Sequence, residues 1–264
     1  MSPSRDELLT QLADQLRSAE ASRFPVDALT DQVADLTIAE AYRVQAINLT
    51  RLLADGEKLV GRKIGLTSKA MQEQLGVDEP DVGAITDRMV IPSEGQLDTT
   101  RFIKPRLEAE FAFRLDGDLD GAITIDSVRA AIGTVMLAAE IIDSRIRDWK
   151  IALIDTVADN ASSAAVVFGP EVPATDELID ALPALRVDLD ANGEVVEFGE
   201  GSAILGHPLE AVLWLARTLA STGESLKAGD LILAGAVHAS VSLTAGVDYA
   251  VRADALPPLS FRAV

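Results

Sequence analysis

The sequence predicts an α+β fold in which an N-terminal helical region precedes a β-rich domain. Apolar residues recur at helical spacing over 6–23, and Thr37 followed by Glu40 forms a capping signal that opens a second helical segment. From residue 61 onward, short apolar segments alternate with glycine and asparagine turns, which is typical of strands. We therefore expect a helical region over 1–60 and a β-rich domain over 61–264.

The first helix is predicted to end before Pro25, because the residue preceding a proline avoids the helical conformation. The second is expected to run from Thr37 to Gly56, a glycine placed where helices commonly terminate. A strand at 63–66 and a short helix at 67–75 are expected to follow.

A strand is predicted at 107–115, a helix at 126–134 and a strand at 135–142. A hairpin at 185–198, a helix at 208–223 and a group of short strands over 226–264 are expected to follow. The hairpin is the clearest of these, because Asn192-Gly193 fits a tight turn between two alternating segments. Gly229, Gly235 and Gly246 are expected at turns between the last strands.

The composition excludes several classes of function. Acidic residues outnumber basic ones by 42 to 23, and the resulting net charge of −19 repels nucleic-acid phosphates and anionic lipid, so neither is expected as a partner. The chain has no cysteine and two histidines, which excludes disulfides, thiolate catalysis and a histidine-rich metal site. Residues 1–7 are polar and lack the apolar segment of a secretory signal, so we expect a cytoplasmic protein.

Two glutamates in the strand predicted at 107–115 are the sharpest local feature. Alternate residues of a strand share a face, so Glu108 and Glu110 point together away from the core, with Cβ atoms roughly 6–7 Å apart. Two such carboxylates repel each other unless a cation or a proton lies between them. An oxygen-preferring ion, Mg²⁺ or Mn²⁺, would satisfy both. A solvated strand face is the alternative.

Three further charged residues are candidates for the same site. Glu140 lies in the apolar segment 136–142, where it would be a third metal ligand or would face solvent on an edge strand. Lys63 would hold a substrate carboxylate or move protons with a lowered pKa, unless it is a surface lysine. Asp81 would face a cleft or form a turn. Small polar residues at 155–163 would line a pocket or satisfy a buried turn.

Taken together, these segments resemble the hydratase/decarboxylase branch of the fumarylacetoacetate hydrolase superfamily. The resemblance extends over nearly the whole chain and rests on 61–70, 76–83, 105–110, 142–149, 155–163 and 205–208. It implies a mixed, rolled β-sheet fold with an N-terminal helical region. The metal ligands it implies, for Mg²⁺ or Mn²⁺, are Glu108, Glu110 and Glu140. The acid/base pair it implies is Lys63 and Asp81, and the residues beside the substrate are Gly65, Leu66 and Ser162.

The resemblance also implies a reaction. It is the metal-dependent hydration of 2-hydroxypenta-2,4-dienoate (2-oxopent-4-enoate) to 4-hydroxy-2-oxopentanoate, a hydro-lyase step in meta-cleavage degradation of aromatic compounds. The alternative is metal-dependent decarboxylation of 4-oxalocrotonate (2-oxo-3-hexenedioate). Residues 146–149 and 155–157 look hydratase-like, whereas 85–89 look more like the decarboxylases.

Two more distant functions are disfavoured by the sequence. Hydrolysis of a C–C bond in an acylpyruvate is disfavoured because that branch uses a histidine-assisted water and this chain has only two histidines. A non-catalytic subunit is disfavoured because the implied acid/base pair and metal ligands are intact. The resemblance further implies a homo-oligomer and association with a sister decarboxylase or hydratase.

Overall fold

The computed structural model describes residues 3–68, 72 and 79–264, and within them the fold is α+β, as predicted. The α-helices are α1 (Arg5–Ser22), α2 (Leu29–Gln32), α3 (Ile38–Ala54), α4 (Ile125–Ala131), α5 (Leu153–Ala158), α6 (Asp176–Ala181) and α7 (Pro208–Ser221). The strands are β1 (Leu59–Gly65), β2 (Asp81–Thr86), β3 (Val90–Ile91), β4 (Gln96–Leu97), β5 (Arg106–Leu115), β6 (Ile132–Ile142), β7 (Ser163–Phe168), β8 (Val172–Pro173), β9 (Arg186–Ala191), β10 (Glu194–Glu200), β11 (Leu231–Ala236), β12 (Val241–Ser242), β13 (Asp248–Ala253) and β14 (Leu256–Ala263).

The two long N-terminal helices form as the sequence predicts. Thr37 caps α3 in a reciprocal capping box with Glu40, and Gly56 follows the helix with a φ of +96°. Apolar residues of α1 and α3 share one buried cluster with Val157 of α5, so the helices pack against the later part of the chain. The division into regions 1–60 and 61–264 stays a prediction. The helix predicted at 67–75 lies mostly outside the described residues.

Two mixed sheets follow the helices. Within the described residues, the larger has nine strands in the order β2-β1-β11-β5-β6-β7-β3, with β12 beside β5 and β8 beside β6. The smaller has the order β10-β9-β13-β14-β4. Strands β1 and β11, β3 and β7, and β14 and β4 pair in parallel, and the other pairs are antiparallel. Strands β5 and β6 therefore lie in the interior of the large sheet.

The large sheet has one apolar face and one face that carries charge. On β5, Leu107, Ala109 and Phe111 belong to the main core, which also contains apolar residues of the small sheet and of α7. Glu108 and Glu110 alternate with them and point to the opposite face, which confirms the predicted alternation. No helix in the described ranges is long and apolar enough to cross a membrane.

Two local predictions differ from the structure. Helix α4 ends at Ala131 and β6 begins at Ile132, so the predicted helix over 126–134 is three residues too long; β-branched residues at 132, 134 and 135 favour the strand. Gly235 is not at a turn between strands but inside β11, where the pairing register with β5 shifts. The hairpin of β9 and β10 and helix α7 are confirmed.

Candidate active site

Three buried glutamates meet on the charged face of the large sheet. Glu108 of β5 pairs directly with Glu140 of β6, and Glu110 lies two residues further along on the same face. Each offers a carboxylate oxygen, and these oxygens all lie within 4.8 Å of one another. Glu108, Glu110 and Glu140 are only 5%, 1% and 0% exposed, so both alternatives, a solvated strand face and an outward-facing edge position, are wrong.

Burial and mutual repulsion perturb this cluster. Burial first, and then the charge of Glu140, raise the pKa of Glu108 to about 7. The same two causes raise the pKa of Glu110 well above its usual range, although the Gly235 N–H donates to its Oε2 at 2.8 Å. Neither carboxylate oxygen of Glu140 has a hydrogen-bond partner within the described part of the chain. A cation between the three carboxylates would relieve both the repulsion and the missing partners.

Lys63 is the cationic side chain beside the cluster. It lies within β1 at 4% exposure, so the surface-lysine alternative is wrong. Its Nζ is 3.4 Å from Glu140 Oε2 and donates to the carbonyl of Ala161 at 3.0 Å. Burial alone would lower the pKa of Lys63, but the surrounding carboxylates, Glu140 and Asp81 foremost, outweigh it. The pKa is therefore raised, contrary to the lowered value expected from the sequence.

Asp81 is the first residue of β2 and is only 2% exposed, so it is a strand residue and not a turn-former. Burial raises the pKa of its carboxyl, and the charge of Lys63 opposes that rise. Its Oδ1 has no hydrogen-bond partner among the described residues. The residue opposite it on β1 is Gly65.

Gly65 allows Lys63 and Asp81 to come together. A Cβ at position 65 would lie 2.1 Å from Asp81 Oδ1 and 3.2 Å from Lys63 Nζ. The two functional groups therefore occupy the space that any other side chain at this position would fill. The role of Gly65 beside the substrate stays a prediction.

A left-handed turn follows α5 and reaches Lys63. Asn160, Ala161 and Ser162 have φ values of 56°, 50° and 57°, a conformation that residues other than glycine rarely adopt in succession. The carbonyl of Ala161 accepts from Lys63, and the Asn160 side chain bonds to the backbone of Ala84.

The other two predicted substrate neighbours are close to these groups in the chain. Ser162 is buried, with its Oγ 3.3 Å from Thr156 Oγ1. Leu66 follows β1 with a φ of 57°, and its carbonyl accepts from the Gln72 side chain. Contact of either residue with a substrate stays a prediction.

Two aspartates of the polar segment 155–163 bind other parts of the chain. Asp155 accepts from the backbone and hydroxyl of Thr30, and Asp159 forms a buried ion pair with Arg145. These contacts favour the buried-turn interpretation for both aspartates. Neither Asn160 nor Arg145 was predicted as a site residue. Asn160 lies in the cluster of small polar residues at 155–163, a pattern that does not say which partner its side chain takes.

The large mixed sheet, with three glutamates clustered on its charged face, indicates the family to which the chain belongs. The profile described as "Fumarylacetoacetate (FAA) hydrolase C-terminal" matches residues 58–262, and the chain belongs to this family. The predicted family and fold class are thereby confirmed.

Similar proteins include both hydratases and decarboxylases. A 2-keto-4-pentenoate hydratase of Paraburkholderia xenovorans is 42% identical over 247 residues, which cover 93% of this chain and 90% of the relative. A 4-oxalocrotonate decarboxylase of Pseudomonas sp. strain CF600 is 39% identical over 260 residues, covering 98% of this chain and 97% of the relative.

Solved structures show the same fold. The 4-oxalocrotonate decarboxylase of Pseudomonas putida G7, complexed with magnesium and adipate, matches with a TM-score of 0.93 at 37% identity and covers 100% of this chain and 99% of that one. Fumarylpyruvate hydrolase from Pseudomonas aeruginosa, in complex with Mn²⁺ and pyruvate, matches with a TM-score of 0.62 at 18% identity over 78% of this chain and 89% of that one, which shows the fold alone.

Proposed function

We propose that this protein is a divalent-metal-dependent hydro-lyase that converts 2-hydroxypenta-2,4-dienoate to 4-hydroxy-2-oxopentanoate. The observation that carries the proposal is the buried cluster of Glu108, Glu110 and Glu140 beside Lys63. Relatives named hydratases, up to 42% identical over 93% of the chain, support the choice of reaction. The ion is Mg²⁺ or Mn²⁺, for which carboxylate oxygens are suitable ligands.

The residues present fit such an ion. Three carboxylate oxygens within 4.8 Å of one another would hold it, and Glu140 has two buried oxygens with no hydrogen-bond partner in the described residues. When bound, the ion supplies Lewis acidity at the 2-oxygen of the substrate and a positive charge for its carboxylate. A local positive charge is needed because a chain of net charge −19 otherwise repels an anionic substrate.

Lys63 and Asp81 would move the protons of the reaction. Asp81, with an unpartnered Oδ1 and a raised pKa, would accept the proton of the 2-hydroxyl group. Lys63, whose buried ammonium lies 3.4 Å from Glu140 Oε2, would donate a proton to C5, giving the 2-oxo-3-enoate. Water then adds to C4: the neutral Lys63 amine would take a proton from the water as its hydroxyl bonds to C4, and Asp81 would return its proton to C3. Each proton taken up is matched by one released, so both side chains return to their starting states.

The residues beside this pair would position the substrate. Gly65 ends β1 opposite Asp81, Leu66 follows the strand, and Ser162 follows the residue whose carbonyl binds Lys63. We propose that the backbone at Gly65 and Leu66 and the hydroxyl of Ser162 contact the substrate.

The second candidate is decarboxylation of 4-oxalocrotonate. It is favoured by the structural match to a 4-oxalocrotonate decarboxylase over 100% of this chain at a TM-score of 0.93. A divalent ion held by the same cluster would stabilise the negative charge that remains on the 2-oxygen when CO₂ departs. The two activities therefore require the same ion and differ in the group that leaves or adds.

One experiment separates them. The purified protein, stripped of metal and then supplied with Mg²⁺ or Mn²⁺, is given 2-hydroxypenta-2,4-dienoate and 2-oxo-3-hexenedioate in parallel reactions. We expect 4-hydroxy-2-oxopentanoate from the first, with activity abolished by EDTA. Release of CO₂ from the second without hydration of the first would assign the decarboxylase, and turnover of neither would indicate a non-catalytic subunit.

We also propose a homo-oligomeric, cytoplasmic enzyme that associates with a sister decarboxylase. Closed symmetric assemblies are the common state of homo-oligomers. Sedimentation at micromolar concentration tests the first point, and a monomer mass would contradict it.

A further inference from the structure

We infer that Asn160 is a positioning residue for Lys63 and that it acts through the left-handed turn at 160–162. The inference rests on the proposed function, since it concerns the placement of the group that would move protons. The side-chain hydrogen bonds of Asn160 in the described structure go to Ala84 and not to the glutamate cluster. Its effect is transmitted by the backbone of the next residue.

The side-chain amide of Asn160 binds one residue of β2 with two hydrogen bonds. Its Oδ1 accepts from the Ala84 N–H at 2.8 Å, and its Nδ2 donates to the Ala84 carbonyl at 2.9 Å. Strand β2 ends the strand order of the large sheet in the described residues, so its outer backbone groups have no neighbouring strand there. The amide supplies both missing partners and ties the turn to β2.

The turn needs such a restraint because its backbone conformation is unfavourable. Asn160 itself tolerates a positive φ, but Ala161 and Ser162 adopt one at a cost, with φ values of 50° and 57°. Conformations of this kind persist only where surrounding contacts enforce them. The buried Arg145–Asp159 ion pair holds the residue before the turn, and the Asn160 amide holds its first residue.

The left-handed conformation of the turn directs the Ala161 carbonyl toward Lys63. The Ala161 carbonyl accepts a hydrogen bond from Lys63 Nζ at 3.0 Å. The same ammonium forms an ion pair with Glu140 Oε2 at 3.4 Å. If the turn relaxes, the ammonium loses this acceptor, and its ion pair with Glu140 would draw it toward that carboxylate. Lys63 would then remain near the site but would lie out of line with the substrate.

The stem of Lys63 is held at the same place. A Cβ at Gly83 would lie 2.7 Å from the Asn160 carbonyl oxygen and 2.9 Å from Lys63 Cγ. The turn and the lysine stem therefore both pack closely against β2 at Gly83. A shift of the turn away from β2 opens this contact and frees the stem as well as the ammonium.

The test is Asn160→Gly in the full-length, metal-loaded protein. Glycine accepts a positive φ without strain, so this change adds no strain at position 160 and removes only the two hydrogen bonds that restrain the turn. We expect kcat to fall about 10- to 100-fold, since a misplacement of about 1 Å costs on the order of 10²-fold in rate. KM and the Mg²⁺ affinity measured by calorimetry should stay within about threefold, because the metal ligands and the substrate anchor are untouched.

Asn192→Gly is the matched control. Asn192 also has a positive φ, 52°, and its Oδ1 accepts from the Asp248 backbone at 3.1 Å, in a hairpin on the small sheet. We expect its kcat to equal that of the unaltered protein. Asn160→Asp is a second variant for the case in which Asn160→Gly does not fold, since aspartate keeps the acceptor for the Ala84 N–H and loses the donor; its kcat should be intermediate.

Three results would overturn the inference. They are an unchanged kcat in folded Asn160→Gly, a loss of Mg²⁺ affinity that accompanies the loss of kcat, and an equal loss in Asn192→Gly. Failure of the proposed function is recognised separately, because the unaltered protein would then turn over neither dienoate.

Discussion

Glu108 and Glu140 face each other directly across the antiparallel strands β5 and β6, in the interior of the large sheet. Directly opposed residues have Cβ atoms about 4.5–5.5 Å apart, and like charges at such a pair are destabilising. The distance between these Cβ atoms is set by the backbone hydrogen bonds of the two strands and not by the side-chain rotamers. The proposed metal centre thus has its geometry fixed by strand register.

Glu108→Gln is expected to remove most of the divalent-ion binding and leave the fold intact. The amide keeps the size of the side chain but lowers the charge and the ligand strength of the site, while the apolar face of β5 is unchanged. Isothermal calorimetry with Mg²⁺ measures the loss. Glu194→Gln, at an exposed glutamate of β10, is the control and should bind as the unaltered protein does. Unchanged affinity in folded Glu108→Gln would contradict the metal assignment.

The metal-free protein is expected to lose stability as the pH rises. Burial and the charge of Glu140 raise the pKa of Glu108 to about 7 and raise that of Glu110 as well, so the folded protein retains protons that the unfolded chain has released. This contribution is complete below the unfolded pKa of about 4.3 and is lost as the pH passes through the folded value.

Thermal unfolding at a series of pH values, with EDTA or with Mg²⁺, tests this expectation. The Tm in EDTA should fall between about pH 5 and about pH 8. The rise in Tm on adding Mg²⁺ should grow over the same interval, because the ion binds the deprotonated carboxylates. A hundredfold excess over Kd contributes about 2.7 kcal/mol, which corresponds to roughly 5–10 °C in a protein of this size. A Mg²⁺ effect that shrinks with rising pH would contradict the cluster as the binding site.

Lys63→Met is expected to lower kcat by on the order of 10²–10⁴-fold while KM changes only a few fold. The substitution removes the buried ammonium that would donate a proton, whereas the substrate carboxylate would still be held by the ion. Lys58→Met, at an exposed lysine just before β1, is the matched control. If Lys63 only pairs with the substrate carboxylate, steady-state kinetics will instead show a raised KM with kcat retained.

Gly65→Ala is expected to abolish most turnover without abolishing metal binding. The new Cβ would lie 2.1 Å from Asp81 Oδ1 and would force that carboxylate away from Lys63. Such overpacking costs about 1–3 kcal/mol of folding free energy, so a lowered Tm should accompany the loss. Gly117→Ala is a suitable control, since a Cβ there makes only ordinary contacts, at 3.7 Å or more, with Ala131. Full activity in Gly65→Ala would show that Asp81 need not occupy this place.

The sequence was sufficient for those parts of the fold and site that depend on local spacing. The capping box of Thr37 and Glu40, the Asn192-Gly193 hairpin and the shared face of Glu108 and Glu110 all follow from residues within a few positions of each other. The apolar neighbours of Glu140 also indicated that its charge would be costly to bury unpaired. The resemblance to a known family then grouped these residues into one site.

The rest depended on contacts between distant parts of the chain. Nothing local states that Glu140 pairs with Glu108 and not with a neighbour, because a shift of one residue in register would place it on the opposite face. Asn160 reaches Ala84 across 76 positions, and its role is invisible without the turn conformation. The raised pKa of Lys63 likewise reflects four carboxylates that only the folded chain assembles.

The placement of the metal-binding glutamates on two interior strands affects how the ion would be exchanged. Where ligands come from loops, departure of the ion lets the chain relax, and reloading requires the loops to be reordered. Here the strand ladder sets the backbone positions of the three glutamates. Chelation should therefore yield a protein that is already shaped for reloading, and the rate of recovery should follow diffusion and water exchange on the incoming ion and not a conformational search.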